Sequence, residues 1–300
     1  MNKRKLSGMT AGAVLVAVSA LGFSTNPIFG KLGYQAGATP VTLLATRFVL
    51  AALSLWLYLL WRRQTGGVPV LKRAQLIVLG SMGMAMVSML YFSALPYIDA
   101  GLATGIFYLH PAMIALVGLF RGERLGRMGL AGLLLTGAGT WLLLGTGTGA
   151  GGFTLQGLLM ITGAAALYAA YIIMGERWTQ GVSPIVSSAH VTLGAAVVYL
   201  SIAPLTGQSL PPPGAIAYGA ALALTSTVLA LITLFAGLPK VGPTRAAIIS
   251  TLEPVFTVIL AAILLGERLS WLQQAGIVMV VIGAITVQMR DRPTAAVPEM

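Results

Sequence analysis

Two long stretches of this chain, residues 128–175 and 178–239, contain no Lys, Arg, Asp or Glu. A helix needs roughly 20 apolar residues to cross a bilayer, so each stretch is long enough for two crossings. The whole chain is 57% hydrophobic and 8% charged, whereas soluble domains carry roughly 25% charged residues. A soluble fold of this composition would have almost no polar surface around its core. The sequence therefore predicts an all-α polytopic membrane protein.

Charged residues, prolines and glycines divide the chain into ten apolar segments with short connections. Backbone amides in lipid must find their hydrogen bonds within the segment, so each is predicted to be a transmembrane helix. The first five predicted spans are Thr10–Leu32, Pro40–Trp61, Ala74–Leu95, Asp99–Phe120 and Met128–Gly147. The last five are Thr154–Met174, Pro184–Thr206, Gly214–Leu238, Pro243–Leu265 and Ser270–Met289.

The 18 Lys and Arg residues are distributed unevenly between the two ends of these spans. With a cytoplasmic N-terminus, only Lys31 and Arg268 fall on the outer side, and Arg47 and Arg245 fall within spans. The cytoplasmic side holds the others: Lys3, Arg4, Lys5, Arg62, Arg63, Lys72, Arg73, Arg121, Arg124, Arg127, Arg177, Lys240, Arg290 and Arg292. An excess of basic residues marks the cytoplasmic side, so both termini are predicted to be cytoplasmic.

The net charge of +11 is then explained by this topology and by contact with anionic membrane lipid. Nucleic-acid binding would require the basic residues to gather on one stripe, which they do not, so no nucleic-acid partner is predicted. The chain has no cysteine, which excludes disulfides, thiol nucleophiles and cysteine-based metal sites. We predict neither a metal site nor a cofactor.

A short motif occurs twice. Gly122-Glu123-Arg124-Leu125 recurs as Gly266-Glu267-Arg268-Leu269, and Leu109-His110-Pro111 upstream corresponds to Leu252-Glu253-Pro254. The copies are 143 or 144 residues apart (254 − 111 and 266 − 122), close to half of the chain. We predict two repeats, residues 1–150 and 151–300, that together form one membrane domain.

Each predicted repeat holds five spans, an odd number, so the two copies enter the membrane from opposite sides. Such inverted repeats are typical of secondary transporters, whose site lies near the bilayer centre where the repeats meet. The duplication reaches back to the loop after the first span, because Gly37-Ala38-Thr39-Pro40 matches Gly181-Val182-Ser183-Pro184. We therefore expect the first span, which follows a basic segment as in a signal peptide, to be a retained helix.

Several of these pieces, in their order and spacing, resemble a known family. They are Gly22-Phe23-Ser24-Thr25-Asn26 with Lys31, Arg47-Phe48, Leu252-Glu253-Pro254-Val255-Phe256 and the second tetrapeptide. The chain resembles the drug/metabolite transporter superfamily in its ten-span EamA-type branch, and is most similar to exporters of the YddG type. The resemblance implies export of aromatic and other neutral amino acids across the bacterial inner (plasma) membrane by alternating access.

Two prolines are predicted to disturb the fourth and ninth spans. Pro111 and Pro254 lack the backbone N–H that would bond the carbonyls of Phe107 and Ser250, four residues earlier. We expect a kink at each proline. Irregular backbone at membrane depth is tolerated only where it lines protein or water, so both kinks are candidate cavity walls.

The residues directly before these prolines, His110 and Glu253, are ionisable. A charged side chain at mid-membrane costs about 2.5–3.5 kcal/mol on insertion scales, so such residues usually face a cavity or a partner. We predict that both line a substrate cavity and that Glu253 meets an amino group or a proton. The alternative is a hinge with a neutral, hydrogen-bonded carboxyl group.

The other predicted substrate-binding residues carry amide, hydroxyl or aromatic groups on predicted span faces. They are Asn26, Tyr91, Thr104, Phe107, Tyr108, Tyr168, Tyr171, Ser250 and Thr251. An aromatic wall with hydroxyl groups suits a zwitterion with an apolar side chain. Plain helix packing and interfacial tyrosines are the alternatives. Pro27 is a third predicted kink, where the Asn26 amide either orients substrate or bonds a freed backbone group.

Three further ionisable residues lie in the predicted spans. Arg47 either binds a carboxylate, of protein or substrate, or extends to the outer interface. Arg245 lies in a first helical turn and is expected to reach the interface, while His190 is expected to be hydrogen-bonded within the bundle.

Glycines seven residues apart predict a close helix contact. Gly132 and Gly139 in the fifth span, and Gly276 and Gly283 in the tenth, leave one helix face smooth. The sequence does not decide whether these faces pack within one chain or between two chains.

The function these features favour is a secondary transporter that exports amino acids, with substrate, lipid and in some mechanisms protons as partners. Export of other small metabolites or drugs by proton antiport is the alternative. A membrane enzyme acting on a lipid-linked substrate lacks any recognisable constellation of catalytic groups, so we predict no enzymatic activity. A channel would need a filter or a ring of charges, and no such segment is present.

Overall fold

The computed structural model describes residues 3–64, 67–120, 126–145, 153–207, 211–241 and 249–288. Within these residues the backbone is helical, and extended backbone pairs only at a bridge between Ile98 and Phe153. The prediction of an all-α protein is confirmed. Gly122-Glu123-Arg124-Leu125 and Arg245 lie outside the described residues.

The helices are numbered here in chain order. The N-terminal half contains α1 (Lys3–Gln35), α2 (Pro40–Trp61), α3 (Val70–Val78), α4 (Ala85–Ala94), α5 (Ala100–Phe107), α6 (His110–Phe120) and α7 (Arg127–Gly145). The C-terminal half contains α8 (Leu155–Trp178), α9 (Pro184–Ile202), α10 (Pro213–Ala223), α11 (Ala230–Val241), α12 (Leu252–Leu264) and α13 (Trp271–Gln288).

Seven helical stretches among the described residues are long and apolar enough to cross a membrane. They are Met9–Gln35, Pro40–Trp61, Val70–Tyr97, Ala100–Phe120, Leu155–Gly175, Pro184–Thr206 and Pro213–Leu238. They coincide with the first four predicted spans and with the sixth to eighth. The ninth and tenth predicted spans contain shorter apolar helices, Leu252–Leu264 and Trp271–Thr286. These lengths indicate a multi-pass membrane protein, while the total of ten spans stays a prediction.

Large apolar side chains on the outer helix faces support the same conclusion. Trp61, Leu134, Trp141 and Ile263 are each more than two-thirds exposed, and many other Leu, Ile and Val side chains are exposed as well. Soluble monomers rarely expose large contiguous apolar patches. A lipid environment makes such surface favourable.

Two π-helical segments occupy corresponding positions in the two halves. Leu79–Met84 joins α3 to α4, and Leu224–Leu229 joins α10 to α11, an offset of 145 residues (224 − 79). Each segment packs against the first two long helices of the opposite half: the first against α8 and α9, the second against α1 and α2. π-Helical turns often occur at functional sites, and the sequence analysis did not foresee them.

Glycines allow this close packing. A Cβ atom on Gly80, in the first π-helical segment, would collide with the Val191 carbonyl of α9, and one on Gly194 of α9 would collide with the Ile77 carbonyl. The two backbones can approach so closely only without side chains at these positions.

The matched loops of the two halves also adopt matching conformations. Gly37 and Gly181 have left-handed backbones, with φ of +88° and +78°. Two residues later, Thr39 caps α2 and Ser183 caps α9, because each side chain accepts a hydrogen bond from a backbone N–H of the first turn. Glycine tolerates positive φ without strain, which explains why both loops need it.

The predicted glycine contact forms within one chain, since α7 and α13 pack along their length. A Cβ on Gly139 would lie 2.7 Å from the Gly276 carbonyl oxygen, and one on Gly283 would collide with Thr136. The smooth faces predicted from the sequence are thus opposed to each other.

This contact predicts opposite effects for two neighbouring glycines of α7. Gly139→Ala should destabilise the protein by about 1–3 kcal/mol, because the added methyl group overpacks the interface. Gly137→Ala is the control, since a Cβ there meets nothing within 4 Å, and alanine is the better helix former. Thermal unfolding in detergent should show a lower midpoint for Gly139→Ala only, and equal midpoints would contradict the contact.

Candidate functional site

The fourth predicted span is broken at its proline. Helix α5 ends at Phe107, Tyr108 and Leu109 form a turn, and α6 begins at His110. Pro111 is thus the second residue of α6, in the first helical turn, where a missing N–H costs no hydrogen bond. The interruption is larger than the predicted kink, because one span has become two helices.

The ninth predicted span has a similar interruption. Ile249 and Ser250 are helical, Thr251 is in a turn, and α12 begins at Leu252. Pro254 again falls in the first turn of the new helix. The two interruptions occur at the positions that the duplicated motif relates.

The carbonyls predicted to lose their partners are bonded by side chains instead. The Phe107 carbonyl oxygen lies 3.0 Å from His110 Nδ1, which must donate because a carbonyl can only accept. The Ser250 carbonyl accepts from the Tyr108 hydroxyl at 2.9 Å. The predicted disturbance of the helix is thus present at both prolines, and each freed carbonyl has its own donor.

Tyr108 connects the two interruptions. Its hydroxyl lies 2.9 Å from the Ser250 carbonyl oxygen and 3.0 Å from Glu253 Oε2, so its single proton is shared between these two acceptors. Tyr108 is buried in the turn between α5 and α6, while Glu253 is in the first turn of α12. A single phenol therefore fixes the position of the carboxylate relative to both broken helices.

A cavity of about 560 Å³ lies between the two halves at these interruptions. Its lining includes Asn26, Tyr91, Phe107, Tyr108, His110, Pro111, Tyr168, Tyr171, Ser250, Thr251 and Glu253. Nearly all predicted substrate-binding residues therefore line the same cavity. The volume is that of a typical small-molecule site.

Aromatic rings form a continuous wall of this cavity. Phe107 is at the centre, with its ring centroid 5.2 Å from Tyr91, 5.1 Å from Tyr168 and 5.4 Å from His110. Tyr168 stacks on Tyr171 at 5.7 Å. These tyrosines line the cavity between the two halves, which favours a cavity wall over an interfacial belt.

Three predicted site residues have other positions. Thr104 is buried behind the wall, where its hydroxyl lies 3.0 Å from the Tyr91 hydroxyl and 3.0 Å from the Ala100 carbonyl. It positions Tyr91 and does not line the cavity. Pro254 is also absent from the lining. Pro27 does not interrupt its helix, because α1 continues through it to Gln35 while packed against α11 and α12.

Asn26, next to Pro27, does line the cavity. Its Oδ1 atom is buried and has no hydrogen-bond partner in the described part of the protein. The sequence left open whether this amide orients substrate or bonds a freed backbone group. The unbonded oxygen favours the first alternative, because a buried acceptor without a partner is costly.

Arg47 also lines the cavity, although it was not among the predicted substrate-binding residues. Its side chain does not extend to the interface, since the residue is only 7% exposed. Nε donates to the Thr227 hydroxyl at 3.1 Å, and the guanidinium carbon lies 5.1 Å and 5.6 Å from the Phe48 and Phe92 ring centroids. The only sequence feature that could have indicated this position is that Arg47 is a lone arginine within a predicted span.

Hydroxyl groups missed by the sequence analysis line the same space. Ser226 and Thr227 come from the second π-helical segment, and Ser187, Ser188 and Thr192 come from α9. Their positions in charge-free spans gave no distinguishing signal. His190 on α9 is hydrogen-bonded to the Val186 carbonyl, as predicted.

One end of the bundle is held by an ion cluster. Lys31 Nζ lies 2.6 Å from Glu267 Oε1 and 3.7 Å from Asp99 Oδ1. Glu267 Oε2 also accepts from the Ala100 backbone N–H at 2.8 Å, at the start of α5. A carboxylate at a helix N-terminus is favourable. Burial, together with the neighbouring carboxylate of Glu267, raises the pKa of Asp99.

The cavity lining extends toward the end of the bundle opposite the ion cluster. It includes Thr179, Val182 and Pro184, in and next to the turn between α8 and α9. The Lys31–Asp99–Glu267 cluster is at the opposite helix ends, where α1 and the segment before α5 meet. The cavity therefore reaches one end of the bundle, and the ion cluster joins the helices at the other.

Comparison with known proteins agrees with this architecture. The sequence model of the EamA-like transporter family matches residues 10–145 and again 155–289. The chain is 26% identical to the uncharacterized transporter YcbK of Bacillus subtilis over 91% of both chains. It is also 26% identical to an uncharacterized transporter of Archaeoglobus fulgidus, over 90% of this chain and 94% of that one.

A relative with a stated cargo is the threonine/homoserine exporter RhtA of Escherichia coli, 26% identical over 61% of each chain. A solved crystal structure aligns with a TM-score of 0.63 and 24% identity, covering 92% of this chain and 96% of that one; this likeness concerns the fold alone. The family and the named relatives indicate a transporter rather than an enzyme. The chain belongs to the EamA-like transporter family, within the drug/metabolite transporter superfamily.

Proposed function

We propose that this transporter exports amino acids, aromatic and other neutral ones, across the bacterial inner membrane by alternating access. The observation that carries the proposal is the Tyr108–Glu253 hydrogen bond, which holds a carboxyl group at the meeting point of two broken helices, inside a cavity of small-molecule size. A carboxylate suits an ammonium group, and the aromatic wall suits an apolar side chain. The exporter RhtA supports the substrate class.

The two halves of the chain are, in this proposal, inverted five-helix repeats that move relative to each other. The packing supports this view: α1 packs against α11 and α12 of the other half, and α8 packs correspondingly against α4 and α6. Helices α2 and α9 pack on each other, as do α7 and α13. A pseudo-two-fold axis exchanges each of these pairs.

The orientation follows from the basic residues. The end of the bundle that the cavity reaches carries Arg177 and Lys72, whose ammonium group donates to the Trp178 carbonyl at 3.2 Å. The positive-inside rule assigns this end, with both termini, to the cytoplasm. The conformation is then open to the cytoplasm, where an exporter collects its substrate, and is closed outside at Lys31, Asp99 and Glu267.

Replacement of the central carboxylate tests the proposed site. Glu253→Gln keeps the size of the side chain and removes its charge. Transport should fall at least about tenfold, because a hydrogen bond to a charged group contributes about 1.5–3 kcal/mol. The measurement is counterflow of L-threonine and L-phenylalanine in proteoliposomes, at matched protein levels. Normal rate and affinity in the variant would exclude Glu253 from the site.

The bridging phenol can be tested by a second substitution. Tyr108→Phe keeps the ring and removes the donor to Glu253 and to the Ser250 carbonyl, so the same counterflow should fall about five- to thirtyfold. Tyr97→Phe is the matched control, since Tyr97 is 39% exposed and does not line the cavity. Equal transport by the two variants would show that the bridge is not needed.

The ion cluster can be tested by thiol labelling, because the chain has no cysteine of its own. A cysteine at Ser88, which lines the cavity, should react with a membrane-impermeant reagent from the cytoplasmic side and poorly from outside. Adding Glu267→Gln removes the charge that holds Lys31 and weakens the outer closure. External labelling should then rise severalfold.

Arg63→Gln, at an exposed position, is the control for the labelling experiment and should leave labelling unchanged. If Ser88→Cys reacts faster from outside without the Glu267 change, the assigned orientation is wrong. If Glu267→Gln leaves external labelling unchanged, the cluster does not close that end.

A further inference from the structure

Arg47 is a buried cation, and no acidic side chain among the residues that the structure describes pairs with it. The ion pairs of the described residues all involve Lys31. Apart from the Nε bond to Thr227, no hydrogen bond to its guanidinium group is present among the described residues. Buried charges in proteins are normally paired, so an unpaired guanidinium on a cavity wall points to a partner that is brought in by a ligand.

The guanidinium group is held in a fixed orientation. Thr227 accepts from Nε, while its own hydroxyl donates to the Leu222 carbonyl at 3.3 Å. The rings of Phe48 and Phe92 flank the cation within about 6 Å, a favourable cation–π distance. With Nε engaged on the protein side, the two terminal nitrogens are the donors left for the cavity. Such a preorganised fork matches the two oxygens of a carboxylate.

Aromatic rings connect Arg47 with the Glu253 end of the cavity. The Phe92 ring is 5.9 Å from Tyr91, which in turn is 5.2 Å from Phe107. Tyr108, whose hydroxyl binds Glu253, follows Phe107 directly. The wall therefore has a guanidinium group at one end and a carboxyl group at the other, with apolar rings between them. A zwitterion with an apolar side chain is complementary to this order of groups.

We propose that Arg47 binds the carboxylate of the transported molecule, so that the transporter selects substrates with a free carboxylate whose cationic end is turned toward Glu253. This inference deepens the proposed amino-acid export and rests on it. It also makes a separate claim, because a carrier could bind amino acids through Glu253 alone. In that case the molecule would accept simple amines as readily as amino acids.

A set of four phenyl compounds separates the two ends of the site. 3-Phenylpropionate has only the carboxylate, phenethylamine has only the ammonium group, and L-phenylalanine has both. 3-Phenyl-1-propanol has neither. Binding is measured by thermal stabilisation of the purified protein in detergent as a function of ligand concentration. Wild type should bind 3-phenylpropionate at least about tenfold more tightly than the alcohol, as expected for a charge-assisted contact.

The variants should respond in opposite ways. Arg47→Gln should weaken the binding of 3-phenylpropionate at least about tenfold and leave the binding of phenethylamine unchanged. Glu253→Gln should weaken the binding of phenethylamine only. Arg47→Lys keeps the charge without the fork and should retain part of the preference for 3-phenylpropionate. Thr227→Val removes the support of Nε but not the charge, and should retain that preference too. Arg63→Gln, exposed and outside the cavity, should behave as wild type.

A structural role for Arg47 gives a different pattern. If Arg47→Gln weakens the binding of 3-phenylpropionate and of phenethylamine equally, the inference is overturned. It is also overturned if the wild-type protein binds 3-phenylpropionate no more tightly than 3-phenyl-1-propanol. Tighter Arg47-dependent binding of phenyl phosphate than of 3-phenylpropionate would also overturn it. Because Arg47→Gln removes a buried charge, its unfolding midpoint without ligand is measured first. A variant that does not fold is replaced by Arg47→Lys, which must then bind the acid measurably less tightly than wild type.

The outcome is separable from that of the proposed function. If no amino acid is transported but 3-phenylpropionate binds in an Arg47-dependent way, the amino-acid proposal fails and the carboxylate site stands. If L-phenylalanine is transported equally well by wild type and Arg47→Gln, export stands and the carboxylate site fails.

Discussion

The requirement that backbone polar groups be hydrogen-bonded inside a membrane shapes the centre of this protein. Proline at positions 111 and 254 removes one backbone donor from each of two helices, and lipid offers no water to replace it. The protein supplies side chains instead: His110 bonds the Phe107 carbonyl, and Tyr108 bonds the Ser250 carbonyl. These polar side chains line the cavity between the two halves.

The same groups that repair the backbone are suited to contact a substrate. Tyr108 shares its hydroxyl proton between the Ser250 carbonyl and Glu253, so the position of the carboxyl group depends on the same contact that satisfies the freed carbonyl. Thr104 fixes Tyr91 from behind, and the π-helical segments bring Thr227 to Arg47. The two halves are alike in backbone and unlike in side chains, with His110 where the other half has Glu253. The two ends of the site therefore differ chemically within a backbone that is alike in both halves.

Sequence reasoning located the interruptions correctly because proline chemistry is local: the lost donor and the freed carbonyl lie within one helical turn. It placed Phe107, His110 and Glu253 in the cavity for the same reason, since they neighbour those prolines. At Pro27, in contrast, the helix continues without interruption and packs against α11 and α12 of the other half. Sequence reasoning also included Thr104, which shares the face of Tyr108 but lies behind the wall formed by Tyr91.

The sequence by itself determined that the chain is helical and membrane-embedded, where its loops turn and where two helices break. These properties depend on composition, on glycine and proline, and on residues within about four positions of each other. Only the tertiary structure decided that Arg47 faces inward, that Tyr108 reaches Glu253, and that Lys31 joins Glu267. Those contacts link residues more than 140 positions apart. They depend on how the halves pack, which no local pattern specifies.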